Sequence, residues 1–129
     1  MKLATVSKLA GTLLVLALSG GVTAGEAPVP LVRIAELEID PAQLEKYKAA
    51  VREEMEVSVR VEPGVLAIYS VALKEDATKL RFFEIYADEA AYRAHIASPH
   101  FRKYVEITKD MIRSRKLIET VPVQLSAKK

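Results

Sequence analysis

The chain has 129 residues and no cysteine, a length that fits one domain held together without disulfides. It carries 19 basic and 17 acidic residues, and two of the basic ones, Lys2 and Lys8, fall in a segment that reads as a signal. Without them the balance is 17 to 17, which gives no electrostatic case for nucleic acid or an anionic membrane as partner.

Residues 1–24 read as a secretory signal. Lys2 and Lys8 form a basic start, Leu9 to Leu18 an apolar run of ten, and Val22-Thr23-Ala24 a cleavage site of small residues. Ten apolar residues are too few for a bilayer span, which takes roughly 20. Cleavage after Ala24 would leave an exported, periplasmic or secreted protein with no stable hold on the membrane. Gly25 to Pro30 is a short linker with two prolines.

"LVRIAELEID" opens the domain as a strand, with Arg33, Ala35, Leu37 and Ile39 on one face. Asp40-Pro41 starts a helix, aspartate as cap and proline in its first turn. Its apolar stripe is Leu44, Tyr47, Val51, Met55 and Val59, and Pro63-Gly64 ends it. "VLAIYSVAL", Val65 to Leu73, is apolar almost throughout and reads as a strand buried on both faces. Lys74 to Lys79 is a turn, and Leu80 to Ala87 an antiparallel strand. Asp88 caps a second helix with Ala91, Tyr92, His95 and Ile96 on one stripe. Ser98-Pro99 interrupts and restarts that helix, and the stripe resumes at Phe101, Tyr104, Val105, Thr108, Met111 and Ile112. Arg113 to Lys116 then reads as a solvated helix end. Lys116 to Leu125 is a last strand, with Pro122 marking an edge or an end. Residues 126–129 are a tail.

The order βαββαβ is the ferredoxin-like α+β fold, an antiparallel four-stranded sheet with two helices on one face. The other face carries apolar and aromatic residues. It therefore predicts a homodimer whose two sheets form a barrel.

"EPGVLAIYSV", "FFEIYAD" and "AAYRAHIASPHF", taken with this order, resemble the antibiotic biosynthesis monooxygenase family of dimeric α+β barrels, over about Leu31 to Val123. The resemblance implies a domain spanning 31–125. It also implies a cofactor-independent oxidation by O2 of a small quinol or polyphenol. Such a site needs a base and a pocket with aromatic walls. The base is then His95, since histidine is the side chain that ordinarily titrates nearest neutral pH. The substrate walls come from Tyr69, Phe82, Glu84, Tyr86, Phe101 and Tyr104. Each aromatic also has a plain reading as core filling, and Glu84 as a partner of Arg33 or Arg81. Two other activities fit the same scaffold: isomerisation of a small hydroxy-dione phosphate, and non-catalytic binding of a small ligand. A phosphate would need a cation, and Arg102 and Lys103 stand near. Haem degradation does not fit. Aligned on Phe101, the haem-binding histidine of such relatives falls at Val105 and their tryptophan at His95.

His100 is five residues from His95, about 140° further round a continuous helix. A zinc pair on one helix wants a spacing of four. His100 therefore reads as a structural or rim residue, with no metal site expected. Without a glycine-rich phosphate loop or dinucleotide fingerprint, no bound cofactor is expected either.

Overall fold

A computed structural model of the chain describes Gly25 and residues 28–129. The signal expected over 1–24, and part of the linker, lie outside the described residues. Among the described residues no helix is long and apolar enough to cross a membrane.

The elements run β1 (Leu31–Ile39), α1 (Leu44–Val61), β2 (Val65–Leu73), β3 (Asp76–Tyr86), α2 (Glu89–Ala97), α3 (Pro99–Thr108) and β4 (Ile112–Glu119). The four strands form one antiparallel sheet in the order β2-β3-β1-β4. This is the ferredoxin-like arrangement expected from the sequence. Ala35, Leu37, Ile39, Leu80, Phe82 and Tyr86 on the inner face build the core with Tyr47 and Val51 of α1.

Local chemistry sets each boundary. Asp40 accepts a hydrogen bond from the Ala42 N–H at 2.9 Å and caps a 3-10 turn, Pro41–Gln43, that leads into α1. Tyr47 and Val51 face the core, but Val59 is exposed. Each step of four residues overshoots a full turn by about 40°, so the series Tyr47, Val51, Met55, Val59 walks off the face. Glu54 and Ser58 take the inward positions instead. The helix gives out at Glu62, which is extended, with its N–H donating to the Ser58 carbonyl at 3.0 Å. Gly64 follows at a close crossing, where a Cβ would run into the Cβ of Ala91. Asp88 accepts from the Ala91 N–H at 2.8 Å and starts α2. Ser98 ends α2 by donating to the His95 carbonyl at 2.7 Å, and its oxygen also accepts from the Phe101 N–H at 3.3 Å to cap α3.

Three boundaries differ from the sequence reading. The turn between β2 and β3 is only Lys74-Glu75, so β3 begins at Asp76 rather than Leu80. Met111 and Ile112 do not continue the helix. α3 stops at Thr108, and β4 runs Ile112–Glu119 rather than 116–125. Arg113 to Lys116 thus lies in a strand, pairing with β1 from Arg115↔Leu37 to Lys116↔Glu36. As an edge strand with neither face fully packed, β4 tolerates this polar run, which shows no apolar alternation to mark it as a strand. Pro122 stands beyond the strand.

β2 is also not buried on both faces. Leu66, Tyr69 and Val71 are at least half exposed, and Phe83, opposite Tyr69 on β3, is open as well. Only the inner face of β2 meets a helix, so its apolar run covers one buried face and one open face.

Candidate functional site

A cavity lies between the inner face of the sheet and the three helices. Its walls come from β1, β3 and β4 below and α1, α2 and α3 above. Its free space is about 90 Å³, several times the roughly 10–15 Å³ that one water needs. It opens along β4, where Leu117 is 64 % exposed.

His95 stands on its wall and is 2 % exposed. The restart at Ser98-Pro99 holds it there, because the hydroxyl of Ser98 and the N–H of Ser98 both bond the His95 carbonyl. Its ring is 5.0 Å from that of Phe101 and 5.4 Å from that of Tyr86. His95 Nδ1 is 2.9 Å from Glu62 Oε2, and His95 Nε2 is 3.4 Å from Glu54 Oε1. His100 Nε2 reaches the same Glu62 oxygen at 2.7 Å.

The carboxyls around it differ. Burial works to raise the Glu62 carboxyl, but the hydrogen bonds from His95 and His100 outweigh it and hold the group below its ordinary range. Glu62 is thus an ionised acceptor for an N–H at His95 Nδ1, and the other ring nitrogen, Nε2, faces Glu54. Burial raises the Glu54 carboxyl, and the Ser58 hydroxyl, 2.8 Å from Oε1, only partly offsets it. Glu84 is likewise raised by burial, against the opposing bond from the Tyr86 hydroxyl at 2.8 Å. Tyr86 itself is raised by burial and by the adjacent Glu84, so it stays a neutral donor. At the far end Tyr47 and Tyr104 join hydroxyl to hydroxyl at 2.8 Å.

Five of the six substrate-wall residues read from the sequence line the cavity with His95: Phe82, Glu84, Tyr86, Phe101 and Tyr104. Tyr69 does not. It pairs with Phe83, and directly opposed residues share a face, so it lies on the outer side and is 62 % exposed. Glu84 is not paired to Arg33 or Arg81, which instead reach Glu89 and Glu119, and Glu36. His100, read as structural or rim, has a structural contact with Glu62. The restart at Ser98-Pro99 breaks the helical count, and Glu62 draws both histidines together. Arg102 and Lys103 do not line this cavity. Arg115 of β4 does.

The sequence reading missed Glu54 and Glu62. A signal for Glu54 was present: it falls three residues after the buried Val51, on the helix face that turns inward, with Ser58 one turn later. Glu62 had none, since its role depends on how the chain leaves α1.

Ligand-type atoms of Glu62, His95 and His100 lie within 4.8 Å of one another. That donor set suits zinc. The oxygen, however, is 2.7 and 2.9 Å from the two nitrogens, whereas two ligands of one tetrahedral zinc stand roughly 3.3 Å apart. The spacing is that of two N–H groups donating to one carboxylate.

Fold and cavity together define a ferredoxin-like α+β protein with a buried histidine in an aromatic-walled pocket. A family model described as antibiotic biosynthesis monooxygenase matches residues 30–107. The chain belongs to that family. A candidate antibiotic biosynthesis monooxygenase from Bacteroides thetaiotaomicron is 49 % identical, with 81 % of this chain and 99 % of that one covered and a TM-score of 0.76. A candidate monooxygenase from Lactobacillus acidophilus is 32 % identical, over 70 % of this chain but only 43 % of its own longer chain, with a TM-score of 0.68. A third, from Nitrosomonas europaea, is 22 % identical over 78 % of this chain and 96 % of its own, with a TM-score of 0.71, and shares the fold. A search of curated proteins found no match. Family membership and the two nearer relatives support a general monooxygenase-like function.

Proposed function

We propose that the protein is a cofactor-independent monooxygenase that oxidises a small quinol or polyphenol with O2. The observation that carries this is His95, which lines the cavity with its Nδ1 committed to Glu62 and its Nε2 toward Glu54. A quinol hydroxyl placed there gives up its proton to the imidazole. The electron pair stays on the ring oxygen, and the electron-rich anion reacts with O2 directly. One oxygen atom enters the ring, the other leaves as water, and the product is a hydroxyquinone. The quinol supplies all the electrons, so the balance requires no bound redox group. Phe82, Phe101 and Tyr104 would flank a flat ring, and Tyr86 would offer a neutral hydroxyl.

The wall chemistry argues against the isomerase reading. Glu54 and Glu84 line the cavity, and Arg115 is the one arginine or lysine among its described lining residues. A phosphate calls for several cationic partners, and this wall supplies one. Oxygen uptake with quinols and catechols, measured beside His95→Ala, tests the proposal. Uptake above the spontaneous rate should fall by about 100-fold or more in the mutant. No uptake with any of them would leave a non-catalytic binding protein.

The assembly and address belong to the same proposal. A second copy covers the outer face of the sheet, completing a dimeric barrel. The partners are then the aromatic substrate, O2 and the second protomer, with neither nucleic acid nor membrane among them. The protein is exported, and its intact mass should begin at Gly25. A retained start would remove that part.

A further inference from the structure

Glu54 is a buried carboxyl that the reaction just described leaves without a task. It is 7 % exposed, and the neutral hydroxyl of Ser58 is the one hydrogen-bond donor its carboxylate has among the described residues. A buried carboxylate with so little support is costly. It faces His95 Nε2 at 3.4 Å, and both groups line the same cavity. With Nδ1 given to Glu62, Nε2 is the ring nitrogen that faces Glu54. The two atoms stand at a distance that one shared proton spans.

We propose that Glu54 is a second catalytic group, and that Glu54 Oε1 and His95 Nε2 form one acceptor pair that takes the hydroxyl proton of the bound substrate and holds it between them. The inference rests on the quinol reading of the pocket. The substrate O–H bond breaks, its proton passes to the pair, and its electrons remain on the substrate oxygen. A proton held between the two atoms makes a charge-assisted contact. The transfer therefore becomes easier than to an isolated imidazole. The burial that raises the Glu54 carboxyl acts in the same direction, by favouring its protonated form. The pair then suits hydroxyl-bearing ligands, whose O–H points at Glu54 and His95 on the same wall.

Other charges bear on the pair. His95 is faced by Glu62 from the end of α1 and by His100 beyond it on α3, with Tyr86 and Glu84 approaching from β3. Arg115 of β4 stands across the cavity. Because the pair must be vacant to accept a proton, turnover is present above its protonation midpoint and lost as pH falls through it.

Two measurements on the full-length protein test this. The first needs no substrate. Ring 15N and carboxyl 13C NMR should show His95 Nε2 and the Glu54 carboxyl taking up their shared proton in one step, at one midpoint. In Glu54→Gln the Nε2 midpoint should move. Two independent midpoints, or an Nε2 midpoint unmoved in Glu54→Gln, would overturn the pairing. The second is oxygen uptake. Glu54→Gln should lower kcat by about 100-fold with KM nearly kept, and shift the acid limb of the pH profile. Glu54→Asp, which keeps the charge but withdraws it from Nε2, should lie between Glu54→Gln and the parent. A parental rate and limb in both variants would overturn the role. If the parent protein oxidises no quinol, the substrate reading fails while the NMR result still decides the pair.

Discussion

The two faces of the sheet invert the usual distribution of polarity. The inner face, under the helices, meets Glu54, Glu84 and His95 beside its aromatic residues. The outer face, open in the protomer, presents Leu66, Tyr69, Val71 and Phe83. Burial ordinarily favours the opposite arrangement. Each inner polar group has a specific partner: His95 with Glu62, Glu54 with Ser58, Glu84 with Tyr86. Among the described residues no buried side-chain nitrogen or oxygen is left without one. The outer apolar residues have no covering layer in the protomer. The comparison teaches that the inner face satisfies each buried polar group with a specific partner, whereas the outer face leaves its apolar residues uncovered in the protomer.

The largest expected effect breaks the outer half of this comparison. Tyr69→Glu together with Phe83→Glu places charges on the open face and touches no cavity residue. Light scattering should report a dimer for the parent and a monomer for the double variant. A parent that runs as a monomer at micromolar concentration would remove the second copy. A variant that stays dimeric would move the interface elsewhere.

The fold was legible because its signals are local. The Asp40-Pro41, Asp88 and Ser98-Pro99 caps, the alternation in β1 and β3, and the Pro63-Gly64 stop each act within a few residues. His95 and most of the pocket aromatics were legible for the same reason: they sit on stripes. Three things were not. β4 was read too late in the chain, because an edge strand carrying Arg113, Arg115 and Lys116 has weak apolar alternation. Tyr69 was put in the pocket because an all-apolar strand does not say which face is inner; its pairing with Phe83 decides that. The Glu62 bridge depends on where α1 unwinds and where α3 restarts, two long-range facts that no spacing encodes. A count of five residues and 140° separated the histidines only on the assumption of an unbroken helix.

The smallest expected effect sharpens the inner half, through two carboxyls that titrate in opposite directions. Glu62 is held below its ordinary value in the folded protein, burial being outweighed by the two histidine bonds. Its contribution to stability is present above the unfolded value and lost as pH falls through the folded one. Glu84 is raised by burial, with the Tyr86 bond opposing. Its ionisation is unfavourable in the fold, so stability declines as pH rises from the unfolded value through the folded one. Glu62→Gln should therefore lower the thermal midpoint at pH 7, and the loss should shrink toward pH 4. It replaces the ionised acceptor of two ring N–H groups by a neutral amide oxygen, a loss of about 1 kcal/mol. Glu84→Gln should raise the midpoint slightly at pH 7, and that gain should also vanish at low pH, because the parent glutamate is then neutral. Thermal melts of the three proteins from pH 4 to 7 give both differences. Opposite signs at pH 7, with both differences smaller at pH 4, are expected. Equal signs would mean that burial alone, and not the histidine bridge, governs the carboxyls under the helices.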